Sequence, residues 1–156
     1  MKIEIPGHAD YDLKYVVCDY NGTLAIDGVL IDGIGDLFNC ISQQGLRIFI
    51  ITADTYGDAR KNLEGLPCET MILSTDRHDD EKGAFVESLS AENVIAFGNG
   101  KNDRFMLKKA AIGVAVLQEE GLCVETLNAS DVVVKDIRDG LSLVISPKRL
   151  IASLRL

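Results

Sequence analysis

The chain has 156 residues, 47% of them hydrophobic and 26% charged, which is the balance of one folded domain spanning 1–156 and not of a disordered chain. A formal net charge of −8 argues against a nucleic-acid backbone or an anionic membrane as partner, and an anionic substrate must be met by local positive groups or a metal. No apolar stretch approaches the roughly 20 residues that span a bilayer, and "MKIEIPGHAD" lacks the apolar run of a secretory signal, so a cytoplasmic location is expected.

"MKIEI" alternates and predicts an edge strand, ended by Pro6 and Gly7. "KYVVCDY" is a short apolar run, expected as a strand buried on both faces, and the turn-rich "NGTLAIDGVLIDG" follows it. Ile34, Leu37, Phe38 and Ile41 have helical spacing, with Gly45 as the stop. "LRIFIIT" is the second buried strand, and Asp54 or Thr55 is the expected cap of a helix carrying Ala59 and Leu63. "ETMIL" predicts a third strand, then a helix from about Asp80 to Leu89 with Ala84, Phe85 and Leu89 on one face. "NVIAFG" is a fourth strand, ending in the glycine turn "GNGKND". A helix through Phe105, Met106 and Ala110 leads to the strand "IGVAV". "GLCVETLNA" reads as helix and "DVVV" as a sixth short strand. The end, "DGLSLVISPKRLIASLRL", reads as two helical pieces broken before Pro147.

Strands alternating with helices predict an α/β fold: a single-domain, Rossmann-like three-layer sandwich around a mainly parallel sheet. In such sheets the functional groups gather at the carboxyl ends of the strands. Asp19, Thr52 and Asn99 fall there. Cys18, Cys40, Cys68 and Cys123 form no CxxC pair, and three of them lie in apolar-periodic segments, so they are expected as buried, reduced thiols. His8 and His78 are not near a cysteine pair, so no zinc site is expected.

Four features sit at matching places. Asp19 ends the first core strand, with Gly22 and Thr23 after it; Thr52 ends the second; Lys82 opens the helix after the third; and "GNGKND" brings Asn99, Asn102 and Asp103 after the fourth. Phosphoryl transfer through an aspartyl-phosphate needs such parts: a nucleophilic carboxylate, a divalent ion such as Mg2+, a hydroxyl and glycine-turn N–H groups for the phosphoryl oxygens, and a lysine as fixed positive charge. Each signal alone is weak. Thr52 fits a cap, and Lys82 in "RHDDEKG" fits a solvated face. Their order and shared strand-end placement are what carry the reading.

The motifs "DYNGTLA", "IFIITAD", the lysine of "DEKGAF" and "IAFGNGKNDRFML" resemble those of the haloacid dehalogenase-like (HAD) superfamily of phosphatases and phosphotransferases, over about Lys14 to Asp139. More closely, the chain is similar to the phosphorylation domain of P-type ATPases, which read DKTGT and GDGxND at the first and last motifs. The resemblance implies Asp19 as nucleophile. It implies Gly22, Thr23, Thr52, Ala53, Lys82 and Asn102 around the phosphoryl group, with Asn102 helping to hold its loop. Metal ligands would come from Asp19, the Asn21 carbonyl, Asn99 and Asp103, with Mg2+ as cofactor.

Two positions depart from the pattern. Most phosphatases of the superfamily have Asp where this chain has Asn21, and that Asp protonates the leaving group and then activates water. An amide does neither, so slow turnover is expected. The ATPase domains have Thr there and form a phosphoenzyme that is not hydrolysed at once. Asn99 replaces the usual metal-binding Asp and removes one negative charge, so weaker Mg2+ binding is expected. Both asparagines precede glycine, so deamidation to Asp is a further expectation.

Neither gap between the first three motifs holds more than one strand–helix unit, so no cap domain is expected. An open site suits a phosphoprotein, or a phosphorylated small molecule covered by a neighbouring subunit of a homo-oligomer. Two alternatives stand beside the enzyme: a phospho-acceptor that does not hydrolyse, and a protein-binding module with a degenerate site. A two-component receiver domain also uses a strand-end Asp, Thr and Lys. It wants an acidic pair after its first strand and its phosphorylated Asp on a later one, whereas this first strand offers Asp19 with only Asn21.

Overall fold

The computed structural model of the chain describes residues 1–53 and 57–156. In chain order its elements are β1 (Lys2–Ile5), β2 (Ala9–Asp12), β3 (Tyr15–Asp19), β4 (Ala25–Ile26), β5 (Val29–Leu30), α1 (Ile34–Gln43), β6 (Arg47–Thr52), α2 (Asp58–Asn62), β7 (Glu69–Ile72) and α3 (His78–Ser88). They continue with β8 (Val94–Gly98), α4 (Arg104–Lys109), β9 (Ile112–Val116), α5 (Val124–Leu127), β10 (Val132–Val134), α6 (Ile137–Ile145) and α7 (Pro147–Leu154). Six strands form one sheet in the order β10-β9-β8-β3-β6-β7, and every pairing in it is parallel.

Alternation along the strands divides the core in two. Val16 and Cys18 of β3, Ile48 and Ile50 of β6, and Ile95 and Phe97 of β8 pack with Phe38 and Ile41 of α1 and Leu141 and Val144 of α6. Val17, Phe49, Ile51 and Ala96 face the other way, against Val86 of α3 and Met106 and Leu107 of α4. Two buried faces explain why the central strands are continuous apolar runs, and the result is the expected three-layer α/β sandwich. Pro147 stands at the start of α7, where its missing N–H removes no helical bond, so the break before it is where the sequence puts it.

The structure differs from the expectations in five places. "MKIEI" does form a strand, but β1 pairs with β2 in a separate hairpin and not with the main sheet. The turn-rich stretch after β3 contains a second hairpin, β4 with β5. On α3 the buried residues are Lys82, Gly83 and Val86; of the expected face Phe85 and Leu89 pack half-buried against the core, but Ala84 is exposed, because the helix turns Lys82 into the protein. The helical reading of "GLCVETLNA" shrinks to the single turn of α5. Only Cys18 is buried; Cys40 is exposed and Cys68 and Cys123 are half-buried, all as free thiols. The predicted cap at Asp54 or Thr55 lies outside the described residues.

Only the β4–β5 hairpin is inserted between β3 and α1, and no strand lies between β6 and β7 among the described residues, so the fold is capless there. Among the described residues no helix is long and apolar enough to cross a membrane.

Candidate active site

Strand order puts the site residues together. β3 lies between β8 and β6, so Asp19, Thr52 and Asn99 stand at or just past the carboxyl ends of three adjacent strands. Asp19 and Asn99 are each 7% exposed and Thr52 is 2% exposed. Ala53 is half-buried beside Thr52.

Lys82 reaches this edge from α3. Its Nζ donates to Asp19 Oδ1 at 2.5 Å and to Asp103 Oδ1 at 2.6 Å, and both Lys82 and Asp103 are fully buried. The neighbouring Glu81 holds the approach to α3 in place: its carboxylate accepts from the backbone N–H groups of Ser74 and Thr75 and from both hydroxyls. Burial pulls the Lys82 pKa down, but the charges of Asp103 and Asp19 outweigh it and hold the ammonium above its ordinary range. Burial first, and the charge of Asp103 second, push the Asp19 carboxyl up to about 7 against the opposing pull of Lys82. A divalent cation beside Asp19 acts in the opposite direction and favours the carboxylate.

Asp103 is committed on both oxygens. Besides holding Lys82, it accepts from the N–H groups of Asn99 and Gly100 through Oδ2, at 3.0 and 2.9 Å. The chain folds back this tightly because residue 98 is glycine; a Cβ there would lie 2.6 Å from Asp103 Cβ. The structure thus places Asp103, expected among the metal ligands, as the carboxylate that fixes Lys82 and the "GNGKND" turn. Asn102 is half-buried in that turn.

Asn99 is held as an amide. Its Oδ1 accepts from Thr23 Oγ1 at 3.2 Å, and its Nδ2 donates to the Gly121 carbonyl at 3.0 Å. A carboxylate here would turn an oxygen toward that carbonyl with no hydrogen between them. Asn99→Asp is therefore expected to destabilise the metal-free protein by about 1–3 kcal/mol, a shift that urea unfolding in chelator would report.

One residue at this edge is invisible to motif reasoning. Gln118 follows β9, and its Nε2 donates to the carbonyls of Gly22 at 3.2 Å and Thr23 at 2.9 Å, while its Oε1 accepts from the first N–H of α6, at Ile137, at 2.7 Å. The amide clamps the turn after Asp19 to α6. Its partners lie 19 or more residues away in sequence, so no local spacing announces it.

The turn after Asp19 is closed on itself. Gly22 N–H donates to the Ala25 carbonyl at 2.8 Å, and the N–H groups of Thr23, Leu24 and Ala25 all point to the Tyr20 carbonyl. Gly22 has φ +78°, and a Cβ on it would lie 2.4 Å from Asn99 Nδ2. The N–H groups of Gly22 and Thr23 and the buried Thr23 hydroxyl, expected to hold phosphoryl oxygens, are engaged inside the protein. Asn21 differs: it is exposed, and among the described residues neither its N–H nor its side chain has a hydrogen-bond partner.

The same bonds bear on deamidation, which needs the N–H nitrogen of the following glycine to attack the Asn side chain. Gly22 N–H is held by Ala25 and Gly100 N–H by Asp103, so both nitrogens are engaged. The expected outcome is an intact mass unchanged by ageing at mildly alkaline pH, contrary to the sequence-based expectation.

The donors expected for a cation at this edge are oxygens: the Asp19 carboxylate, the Asn21 carbonyl and Asn99 Oδ1. Among the described residues no group of three His, Cys, Asp or Glu side chains is placed to hold a metal. An all-oxygen set completed by an amide and a carbonyl fits a hard cation such as Mg2+, held less strongly than by two free carboxylates.

A family model described as haloacid dehalogenase-like hydrolase matches residues 84–140. An uncharacterized protein of Methanocaldococcus jannaschii is 40% identical over 92 residues, covering 54% of this chain and 99% of that one. Phosphoserine phosphatase of Archaeoglobus fulgidus is 40% identical over 60 residues, covering 38% of this chain but 14% of that protein. Among solved structures, 3-deoxy-D-manno-octulosonate 8-phosphate phosphatase of Moraxella catarrhalis, in complex with magnesium ion, phosphate ion and KDO, superposes with a TM-score of 0.72. It is 17% identical, over 92% of this chain and 94% of that one, a likeness of fold.

Proposed function

This chain belongs to the haloacid dehalogenase-like hydrolases, and we propose that it is a slow phosphohydrolase working through an aspartyl-phosphate on Asp19. The observation that carries this reading is the buried Lys82 ammonium fixed between Asp19 and Asp103 at 2.5 and 2.6 Å. A carboxylate at a strand end with a locked positive charge beside it is equipped to approach an anionic phosphoryl group.

In this reading an Asp19 oxygen attacks phosphorus while Lys82 offsets the charge that gathers around the carboxylate. The Asn21 N–H, without a partner among the described residues, is a backbone donor for a phosphoryl oxygen, with Thr52 and Ala53 at the next strand end. Asp103 keeps Lys82 aimed, and Gln118 keeps the turn in register. Mg2+, when held by Asp19, the Asn21 carbonyl and Asn99, supplies positive charge against the phosphoryl oxygens. The substrate is a phosphorylated small molecule or a phosphoprotein reaching an uncapped site, and a homo-oligomer covering that site belongs to the same proposal.

The test is Mg2+-dependent phosphate release from p-nitrophenyl phosphate, lost in Asp19→Asn. Asn21→Asp restores an acid and base at the exposed position. It is expected to raise kcat by about 10²-fold, read under saturating substrate, because a positioned proton donor and acceptor contributes on that order.

Asn21 also favours a second reading. Without a base to activate water, the aspartyl-phosphate is long-lived, and the chain serves as a phospho-acceptor whose charged state a partner reads. Protein mass after exposure to a small phosphoryl donor separates the two: a stable adduct without turnover supports the acceptor.

A further inference from the structure

The groups around Asp19 differ in whether they have a proton to give. Asp103 is fully buried, and both its oxygens are taken by Lys82 and by the Asn99 and Gly100 N–H groups. Lys82 is fully buried and locked between two carboxylates, which hold its proton in place. Glu120, the carboxylate that meets the nucleophile loop, does so at the far turn of the β4–β5 hairpin, where it accepts from Asp27 N–H at 2.8 Å. The one exposed side chain in the turn after Asp19 is the Asn21 amide, which has no acidic proton. Among the described residues, no group packed around Asp19 is free to protonate an oxygen leaving from the opposite side of phosphorus.

We infer that this site takes substrates whose leaving group departs as a stable anion, namely acyl phosphates and phosphoric anhydrides, in preference to alkyl phosphate esters. The inference rests on the reading of Asp19 as nucleophile. An Asp19 oxygen bonds to phosphorus as the bond to the leaving oxygen breaks, and that oxygen keeps the electron pair. A carboxylate or phosphate leaves in this way with no proton transfer. An alkoxide is a far stronger base and finds no donor. Water then attacks phosphorus and gives its proton to solvent. The bond to Asp19 breaks, and inorganic phosphate and the free carboxylate remain.

The test uses the full chain with Mg2+ and a series of small phosphoryl donors: acetyl phosphate, p-nitrophenyl phosphate, phenyl phosphate and glycerol phosphate. The quantity read is kcat/KM, which reports transfer to Asp19 even where release from Asp19 limits kcat. The expected result is a fall of at least about 100-fold from p-nitrophenyl to phenyl phosphate, with glycerol phosphate lower still, and a difference under about tenfold between the two aryl phosphates in Asn21→Asp. Values for the wild type within about threefold across the series, while release still depends on Asp19, overturn the inference and leave the proposed function standing. An Asn21→Asp variant as selective as the wild type overturns the assignment to Asn21. No release from any donor, or release that survives Asp19→Asn, overturns the proposed function and the inference with it.

Discussion

Replacing Asp19 with Asn is expected to lower phosphate release by at least about 10³-fold, because it removes the nucleophile and no neighbouring group takes over the attack. The same substitution is expected to leave the metal-free fold as stable as the wild type, or more so. Burial and the charge of Asp103 raise the Asp19 carboxyl from 3.8 to about 7, so the folded chain keeps a proton that the unfolded chain gives up. The stability this contributes is present below about pH 4 and is lost as pH rises through about 7. In chelator, urea midpoints of the wild type should therefore fall over that window, and Asp19→Asn should remove this part of the slope. The amide is neutral at every pH, and Lys82 keeps Asp103 as its partner. Lost activity with retained stability separates a chemical role from a structural one, and it marks Asp19 as a residue kept at some cost to the fold.

Replacing Lys82 with Met is the other large effect. The ammonium is bonded to two buried carboxylates, and the whole side chain is buried. Removing it leaves Asp19 and Asp103 facing each other without a counter-charge. The expected loss is about 3–5 kcal/mol of unfolding free energy at neutral pH, as for one partner taken from a buried ion pair. Activity falls with it. Adding Asp103→Asn to Lys82→Met removes the repulsion and keeps an oxygen for the N–H groups of Asn99 and Gly100. The double variant is expected to recover part of the lost stability and none of the activity. That split shows that the two carboxylates require the lysine for folding while the reaction requires it for its charge. Equal stability of Lys82→Met and the wild type would contradict this arrangement.

Much of this was legible in the sequence, for physical reasons that also set its limits. Strand-end position identified Asp19, Thr52 and Asn99, because a parallel sheet buried on both faces announces its strands as apolar runs and its functional edge as the polar residues that end them. Lys82 was legible only through order and resemblance. Its surroundings, "RHDDEKG", read as a solvated run, and of the helix face expected at Ala84, Phe85 and Leu89 only Ala84 is exposed, with Lys82 drawn inward between two carboxylates. The β4–β5 hairpin escaped notice because two-residue strands leave no alternation to detect. Gln118, Thr23 and the Gly121 carbonyl were hidden for another reason. Their work is hydrogen bonding across 19 to 96 residues of chain, and only the assembled sheet brings them together. Asn99 reads differently as a result. From sequence it is an aspartate lost; in the structure its amide has a donor and an acceptor waiting for it.

Phosphoryl transfer to Asp19 is tested by the mass of the protein after brief exposure to acetyl phosphate and Mg2+, quenched in acid to preserve an acyl phosphate. The expected result is a phosphoryl adduct on the wild type that maps to Asp19, is absent from Asp19→Asn, and decays more slowly than the adduct on Asn21→Asp. Phosphate release without any adduct on Asp19, or an adduct of equal yield on Asp19→Asn, would contradict it.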